Sequence, residues 1–309
     1  MKCAHCGTDA DYKARQATGR CRQCARPFAF EPRRDRGMTD LTFKLALEGV
    51  SERGELLWTD NHLYYDICRR VRRRRIFHRL VRRPLVSLDR AEFDALYGRW
   101  LETNGVPAGR LERPQFGAEV PERPPNVDAY GFERLLVCEH DATADVLLAN
   151  GFHADARCPV LSYRGYPEHV YEALVPLLRD RPPASVVVVH DASWEGCSLA
   201  RRVAESPRWF AGVELPHVVD AGLRPADAKR FRGLYQRPSS GRGDGDEAAI
   251  DPQEAKWLAS HRLELAVVRP RVLMAVLARA LRGEASGGAG DEGVGWAVLP
   301  WEDEDDEVG

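Results

Sequence analysis

Four cysteines near the start of the sequence have the spacing of a structural metal site. The pattern C-x2-C-x14-C-x2-C is formed by Cys3, Cys6, Cys21 and Cys24. Each C-x2-C pair forms a tight turn that directs two thiolates toward one tetrahedral ion, which is typical of a zinc ribbon. Four sulfur ligands leave no open position, so we expect a structural Zn²⁺ ion. Two disulfides are the alternative, which a cytoplasmic location would disfavour.

Two carboxylates follow short apolar runs that are typical of buried strands. The run RLLVCE ends in Glu139, and the run SVVVVHD ends in Asp191. Strands and amphipathic helices alternate from 131 to 281, which predicts an α/β fold with a parallel sheet. Because ligands bind at the carboxyl ends of such strands, and because paired carboxylates repel without a cation, we expect a Mg²⁺ site. The alternative is that acids at these strand ends cap the following helices, since Asp141 and Asp191 both precede predicted helices.

The N-terminal half combines predicted helices with a dense basic run. Residues 38–103 predict two or three short helices of a winged-helix or helix-turn-helix unit, and Asp40 is the predicted N-cap of the first helix. Residues 69–83 contain nine arginines and no acid, which indicates a surface for DNA phosphates. The alternative is a solvated helix face. The candidate DNA-binding residues are Arg69, Arg70, Arg72, Arg73, Arg74, Arg75 and, after the second predicted strand, Arg164.

Three motifs in order resemble the Toprim domain of the topoisomerase VI A subunit and of the related meiotic double-strand-break transesterase. They are CEHDATADVLL, SYRGYP and VVVVHDASWEG, which cover about residues 130–230 with the stretch that follows them. Glu139 and Asp191 match acids of the first and third motifs, Arg164 matches a basic position, and Gly196 matches the final glycine of the third motif. Ser193 departs from the family, which has a second aspartate there, and Trp194 replaces a proline.

The run TDNHLYY resembles the family motif that contains the reactive tyrosine, which here is Tyr65. Asn61 stands where the family has an arginine, and His62 stands where it has an acid. The resemblance implies Mg²⁺-dependent transesterification, in which Tyr65 attacks a DNA phosphodiester and stays attached to one end. Ser193 and Glu195 are candidate additional magnesium ligands.

The resemblance also implies partners and leaves alternatives. It implies duplex DNA as the substrate, a homodimer, and a separate ATPase subunit, since the sequence has no G-x-x-x-x-G-K-[ST] motif. One alternative is a Toprim nuclease that hydrolyses DNA without a tyrosine adduct, as a subunit of a plasmid- or phage-defence complex. The other is a DNA-binding module that has lost its catalytic chemistry.

Composition and low-complexity stretches define the expected domains. The chain has 309 residues and a net charge of −2, and a tail with six acids leaves the remainder net positive. We find no signal peptide and no apolar membrane-spanning run, so we expect a cytoplasmic protein with no membrane partner. The expected domains are a zinc ribbon (1–37), a winged-helix-like DNA-binding domain (38–103), a linker (104–127), a Toprim-like α/β domain with helices on both sheet faces (128–282), and a Gly-rich, acidic tail (283–309).

Overall fold

The computed structural model describes most of the chain. The described residues are 1–74, 85–86, 88–112, 133–210, 217–238, 250–283 and 296, without the side chains of 14 and 72–74. Arg75, most of the expected linker and nearly all of the acidic tail lie outside the described residues. The side chains of Arg72, Arg73 and Arg74 lie outside them as well.

The N-terminal part is helical. Its described helices are α1 (Tyr12–Thr18), α2 (Asp40–Ser51), α3 (Asp60–Arg74) and α4 (Arg90–Asn104). Within 38–103, the described residues contain no strand beyond single β-bridges at Trp58 and Leu85. The winged-helix assignment therefore remains a prediction.

A four-stranded parallel sheet follows, as the alternation of apolar runs predicted. Its strands are β1 (Arg134–Cys138), β2 (Val160–Ser162), β3 (Ser185–Val189) and β4 (His217–Asp220), in the order β2-β1-β3-β4. The helices of this part are α5 (Asp141–Ala149), α6 (Phe152–Asp155), α7 (Glu168–Asp180), α8 (Trp194–Cys197), α9 (Leu199–Ala204), α10 (Pro207–Phe210), α11 (Pro225–Ala228), α12 (Pro252–Leu258) and α13 (Pro270–Leu281).

Side chains alternate between the two faces of the sheet along each strand, and both faces are buried. Leu135 and Val186 pack on one face against residues of α7, α9 and α10. Leu136 and Val187 pack on the other face against residues of α5 and α13. This arrangement explains why β1 and β3 are continuous apolar runs rather than alternating ones.

The N-terminal helices share the core of the second face. Phe43 of α2, Tyr65 of α3 and Trp100 of α4 belong to the same buried cluster as Leu136 of β1. Contacts between α3 and a 3-10 turn at Leu265–Val267 join the two parts of the chain. The helical part is therefore fixed against the sheet through apolar packing.

A buried carboxylate reinforces this junction. Asp66 of α3 is 1% exposed and accepts hydrogen bonds from Arg70 Nε at 2.8 Å and from an Arg269 guanidinium nitrogen at 2.7 Å. Burial alone would raise the pKa of Asp66, but the charges of Arg269, Arg70 and Arg69 hold it below its ordinary value. Asp66 is thus an ionised link between α3 and the start of α13.

The start of α2 differs from the sequence-based expectation. We expected Asp40 to cap this helix, but Thr39 is the cap, and its hydroxyl accepts a hydrogen bond from the Thr42 amide at 3.1 Å. Asp40 instead accepts bonds from the amides of Ala29 and Phe30. Threonine and aspartate both favour the cap position, so local sequence alone did not separate them.

None of the helices in the described part of the chain combines the length and apolar character needed to cross a bilayer.

Candidate functional site

The four N-terminal cysteines lie together. The Sγ atoms of Cys3 and Cys24 are 3.8 Å apart, and those of Cys6 and Cys21 are 3.6 Å apart. Sulfurs at the corners of a tetrahedron around Zn²⁺, with bonds of roughly 2.3 Å, are separated by about 3.8 Å. The cluster can therefore hold a metal ion, and its spacing suits zinc.

Two similar turns produce this geometry. The amide of Gly7 donates to the Cys3 carbonyl at 3.0 Å, and the amide of Ala25 donates to the Cys21 carbonyl at 2.9 Å. Both closing residues have positive φ, 71° at Gly7 and 57° at Ala25. Glycine adopts this conformation without strain, whereas alanine does so at some cost.

The two predicted strand-end acids also lie together, at the carboxyl edge of the sheet. Cys138 of β1 is paired in register with Val189 of β3. Glu139 and Asp191 therefore leave adjacent strands at the same edge. The Asp191 amide donates to Glu139 Oε2 at 2.8 Å, which holds the two acids side by side.

His140 completes this group, and the sequence analysis did not assign it a role. Its Nε2 lies 3.0 Å from Asp191 Oδ2 and 3.8 Å from Glu139 Oε1. Glu139, His140 and Asp191 offer three donor atoms within 4.8 Å of one another. Its position in the sequence could have suggested a place in this site, because His140 directly follows a strand-end acid and precedes α5.

The charges in this group balance one another. Burial, and then the charge of Asp191, raise the pKa of Glu139. The hydrogen bond to Asp191 raises the pKa of His140 to about 9, so a protonated imidazole offsets the carboxylates at neutral pH. Two carboxylates and one imidazole are also donors that suit a bound divalent cation.

A distant segment fixes the orientation of Asp191. The Leu265 amide donates to Asp191 Oδ1 at 2.7 Å. Just before it, Ala192 and Leu263 form an antiparallel bridge with N–O distances of 2.9 and 3.0 Å. Both carboxylate oxygens of Asp191 are thus hydrogen-bonded, Oδ1 to the Leu265 amide and Oδ2 to His140.

A second polar chain supports the end of β3. His190 is fully buried, and its Nε2 lies 2.8 Å from Asp220 Oδ1. Asp220 also pairs with Arg224 at 2.9 Å, and Arg224 pairs with Glu254. A Cβ at Gly222 would lie 2.2 Å from the His190 ring, so only glycine allows this close packing.

The candidate ligands that follow Asp191 have other positions. Ser193 Oγ accepts a hydrogen bond from the Gly196 amide at 2.9 Å and caps α8. Glu195 is exposed and lies outside the described three-residue donor cluster. Both residues nevertheless line the same cavity as Asp191.

Tyr65 is not exposed to this cavity. It is fully buried, and its hydroxyl accepts a hydrogen bond from Gln236 Nε2 at 2.7 Å. Burial, and then the charges of Glu264 and Asp191, raise its pKa well above the ordinary value. The neighbouring Tyr64 is 2% exposed and donates to the Leu88 carbonyl at 2.8 Å. Attack on DNA by Tyr65 would therefore require a rearrangement that exposes its hydroxyl.

The beginning of the TDNHLYY run does reach the cavity. Thr59, Asn61 and His62 line it, and the Thr59 hydroxyl lies 2.8 Å from His62 Nδ1. Burial lowers the pKa of His62 to about 4, so this ring is neutral. Arg90 donates to Asn61 Oδ1 at 2.6 Å.

The predicted DNA-binding arginines differ in their surroundings. Arg69 and Arg70 are half-buried, bind Asp66 and donate to the carbonyls of Val267 and Leu45. These contacts give them a structural role. Arg164 is exposed and lines the cavity.

The cavity has a volume of about 480 Å³, within the range of ligand sites. Two further arginines, Arg202 and Arg262, also line it together with Glu264. Arg262 lies 2.9 Å from Glu264 and 2.7 Å from Gln236 Oε1. The lining of the cavity thus combines acidic side chains with several cationic ones.

A scan against known protein families gave no match, and a search of curated proteins gave none either.

Proposed function

We propose that this chain is a Toprim-like DNA-binding protein that cleaves DNA by metal-dependent hydrolysis at Glu139, His140 and Asp191. The observation that carries the proposal is the placement of three side chains that could bind a metal ion at the carboxyl edge of two adjacent parallel strands, on the wall of a cavity that is also lined by arginines. The three-motif resemblance to Toprim domains supports DNA as the substrate.

In this proposal Glu139 and Asp191 would hold one Mg²⁺ ion, and His140 would become the third ligand by losing its proton when the ion binds. When bound, such an ion neutralises charge on a phosphodiester and makes water more acidic. Arg164 and Arg202 bind the phosphates on either side of the reacting one.

Glu264 accepts the proton of the attacking water as the water oxygen bonds to phosphorus. One P–O ester bond breaks, and the leaving sugar oxygen takes a proton from solvent. Burial, and then the charge of Asp191, raise the pKa of Glu264, which brings this carboxylate closer to the working range of a general base. Its contact with Arg262 at 2.9 Å orients it at the cavity wall.

Hydrolysis fits the site better than transesterification because the Tyr65 hydroxyl is buried and already hydrogen-bonded. Tyrosine transesterification remains a second candidate for one reason. The Tyr65 hydroxyl contacts Gln236, which in turn contacts Arg262 of the cavity wall. A homodimer and a separate ATPase subunit, which the resemblance implies, are further proposals.

Cleavage of labelled duplex DNA in Mg²⁺ separates these candidates, with products resolved on denaturing gels before and after protease treatment. We expect Glu139→Gln and Asp191→Asn to reduce cleavage by about 100-fold or more, because each removes a charged metal ligand. Tyr65→Phe should cleave like the parent, and no protein should remain on the DNA. Glu172→Gln, at an exposed position on α7, is the matched control.

Two other results would overturn hydrolysis. A protease-sensitive DNA adduct that disappears in Tyr65→Phe would establish transesterification. DNA binding without cleavage, for the parent protein in Mg²⁺ or Mn²⁺ and with any partner subunit, would identify a non-catalytic DNA-binding module.

A further inference from the structure

An apolar wall adjoins the charged part of the cavity. Trp194, Leu199, Pro238 and Leu258 line the same space as Glu139 and Asp191. Trp194 and Leu258 belong to a small buried cluster that is separate from the two clusters on the sheet faces. Phosphates and metal ions do not need such a surface, so the proposed reaction centre leaves this wall unexplained.

His261 forms part of the wall and is held in a fixed orientation. Its ring stacks on Trp257, with centroids 5.4 Å apart and an angle of 26° between the planes. Tyr235 contacts the same ring edge-on at 5.4 Å. The Ser260 hydroxyl lies 2.8 Å from His261 Nδ1. His261 is half-buried and lines the cavity, so this aromatic group borders the space beside the charged residues.

We propose that this wall binds one unstacked base of the DNA strand, and that His261 provides the stacking surface. The substrate would then be DNA with an unpaired base next to the reacting phosphate. This inference rests on the proposed function. Every base has an aromatic face that stacks on such a side chain, whereas bases within a continuous duplex already stack on their neighbours.

The charges around the wall fit the same ligand. Arg164, Arg202 and Arg262 line the cavity with His261, so a base on the wall would have its backbone phosphates near cationic side chains. The cavity volume of about 480 Å³ is of ligand size, which suits a single nucleotide unit rather than the width of a duplex.

Binding to three related DNAs tests the inference. The first is a continuous duplex, the second has a gap opposite three unpaired thymines, and the third has abasic residues in place of those thymines. Fluorescence anisotropy is measured in Ca²⁺, which binds to carboxylate sites, and gels confirm that the DNA stays intact. We expect the parent protein to bind the thymine-gapped DNA most tightly.

The His261 variants give the decisive comparison. His261→Ala should bind the thymine-gapped DNA about 10-fold more weakly, at the affinity of the abasic DNA, because it loses base stacking. It should bind the abasic DNA like the parent. His261→Phe keeps an aromatic face and should keep the preference for thymine. His153→Ala, at an exposed position outside the cavity lining, is the matched control.

Three results would overturn the inference. They are a parent protein with no preference for thymine over abasic DNA, a His261→Ala protein that keeps the preference, and an equal loss on all three DNAs. Thermal unfolding of each variant identifies an effect on folding. If the thymine preference is present but Mg²⁺ supports no cleavage, the proposed hydrolysis fails while the base-binding site stands.

Discussion

The carboxylate cluster depends on a glycine as well as on its acids. A Cβ at Gly196 would lie 2.2 Å from the Asp191 carbonyl oxygen and 2.9 Å from Glu139 Oε2. The first contact involves backbone and cannot be relieved by a side-chain rotation. The resemblance to Toprim motifs pointed to this glycine, and the structure gives the physical reason for it.

We therefore expect Gly196→Ala to displace Glu139 and Asp191 and to weaken Mg²⁺ or Mn²⁺ binding by about 10-fold or more. Isothermal titration calorimetry measures this effect on the zinc-loaded protein. Gly98→Ala on α4 is the matched control, since nothing lies within 4 Å of the added methyl group. An unchanged metal affinity in Gly196→Ala would contradict the placement of the ion between these acids.

The pH dependence of stability should report the charge on His140. Its pKa is raised from 6.5 to about 9 by the hydrogen bond to Asp191. A raised pKa stabilises the folded state fully below about pH 6.5, and this contribution is lost as the pH rises through about 9. His140→Gln should therefore lower the free energy of unfolding more at pH 6 than at pH 10.

Urea unfolding without added Mg²⁺ measures the difference, and it should be modest because the His140 side chain is 53% exposed. An equal loss at both pH values would mean that His140 carries no charge in this site.

At the scale of elements, the sequence predicted the sheet better than the site. The runs RLLVC and SVVVV are apolar at every position after the first residue, so their burial between two helical layers could be predicted. The segment 262–267 could not, because neither its length nor its periodicity marks it as the partner of Asp191. Such contacts arise only when the chain packs, and 74 residues separate Asp191 from Leu265.

Asp66 and the three arginines around it form an ion cluster that joins α3 to the start of α13. Asp66→Asn should destabilise the protein by about 3 kcal/mol, because three arginines would lose their buried counter-charge. Urea unfolding monitored by circular dichroism gives the value. Asp94→Asn removes an exposed acid that pairs with Arg90, and it should change stability little. Equal effects of the two substitutions would contradict a structural role for the cluster.

At the scale of the whole molecule, the cysteine cluster is tied to the main core. Lys44 Nζ of α2 donates to the Ala4 carbonyl at 3.1 Å. Phe30, which follows the last cysteine pair, packs against Phe43 and Trp100 with centroid distances of 5.3 and 6.1 Å. A metal ion held by these cysteines would therefore stabilise more of the chain than the two cysteine turns.

We expect one Zn²⁺ ion per chain, measured by elemental analysis of the purified protein. Cys6→Ser should reduce the zinc content and lower the melting temperature, because three thiolates bind the ion less tightly. Cys68→Ala, a buried cysteine in α3, should keep the full zinc content. A parent protein that contains almost no metal and has oxidised thiols would contradict the zinc ribbon.

The bridge between Gln236 and Arg262 has a consequence for how this protein could change. Their backbone amides and carbonyls exchange two hydrogen bonds of 2.9 Å, so the two ends of the stretch 237–261 lie side by side. The described residues of this stretch include Pro238, Leu258 and His261 of the cavity wall, whereas Glu139 and Asp191 follow strands of the sheet. Sequence divergence within the stretch would therefore change one wall of the cavity while the strands that carry the acidic cluster stay the same.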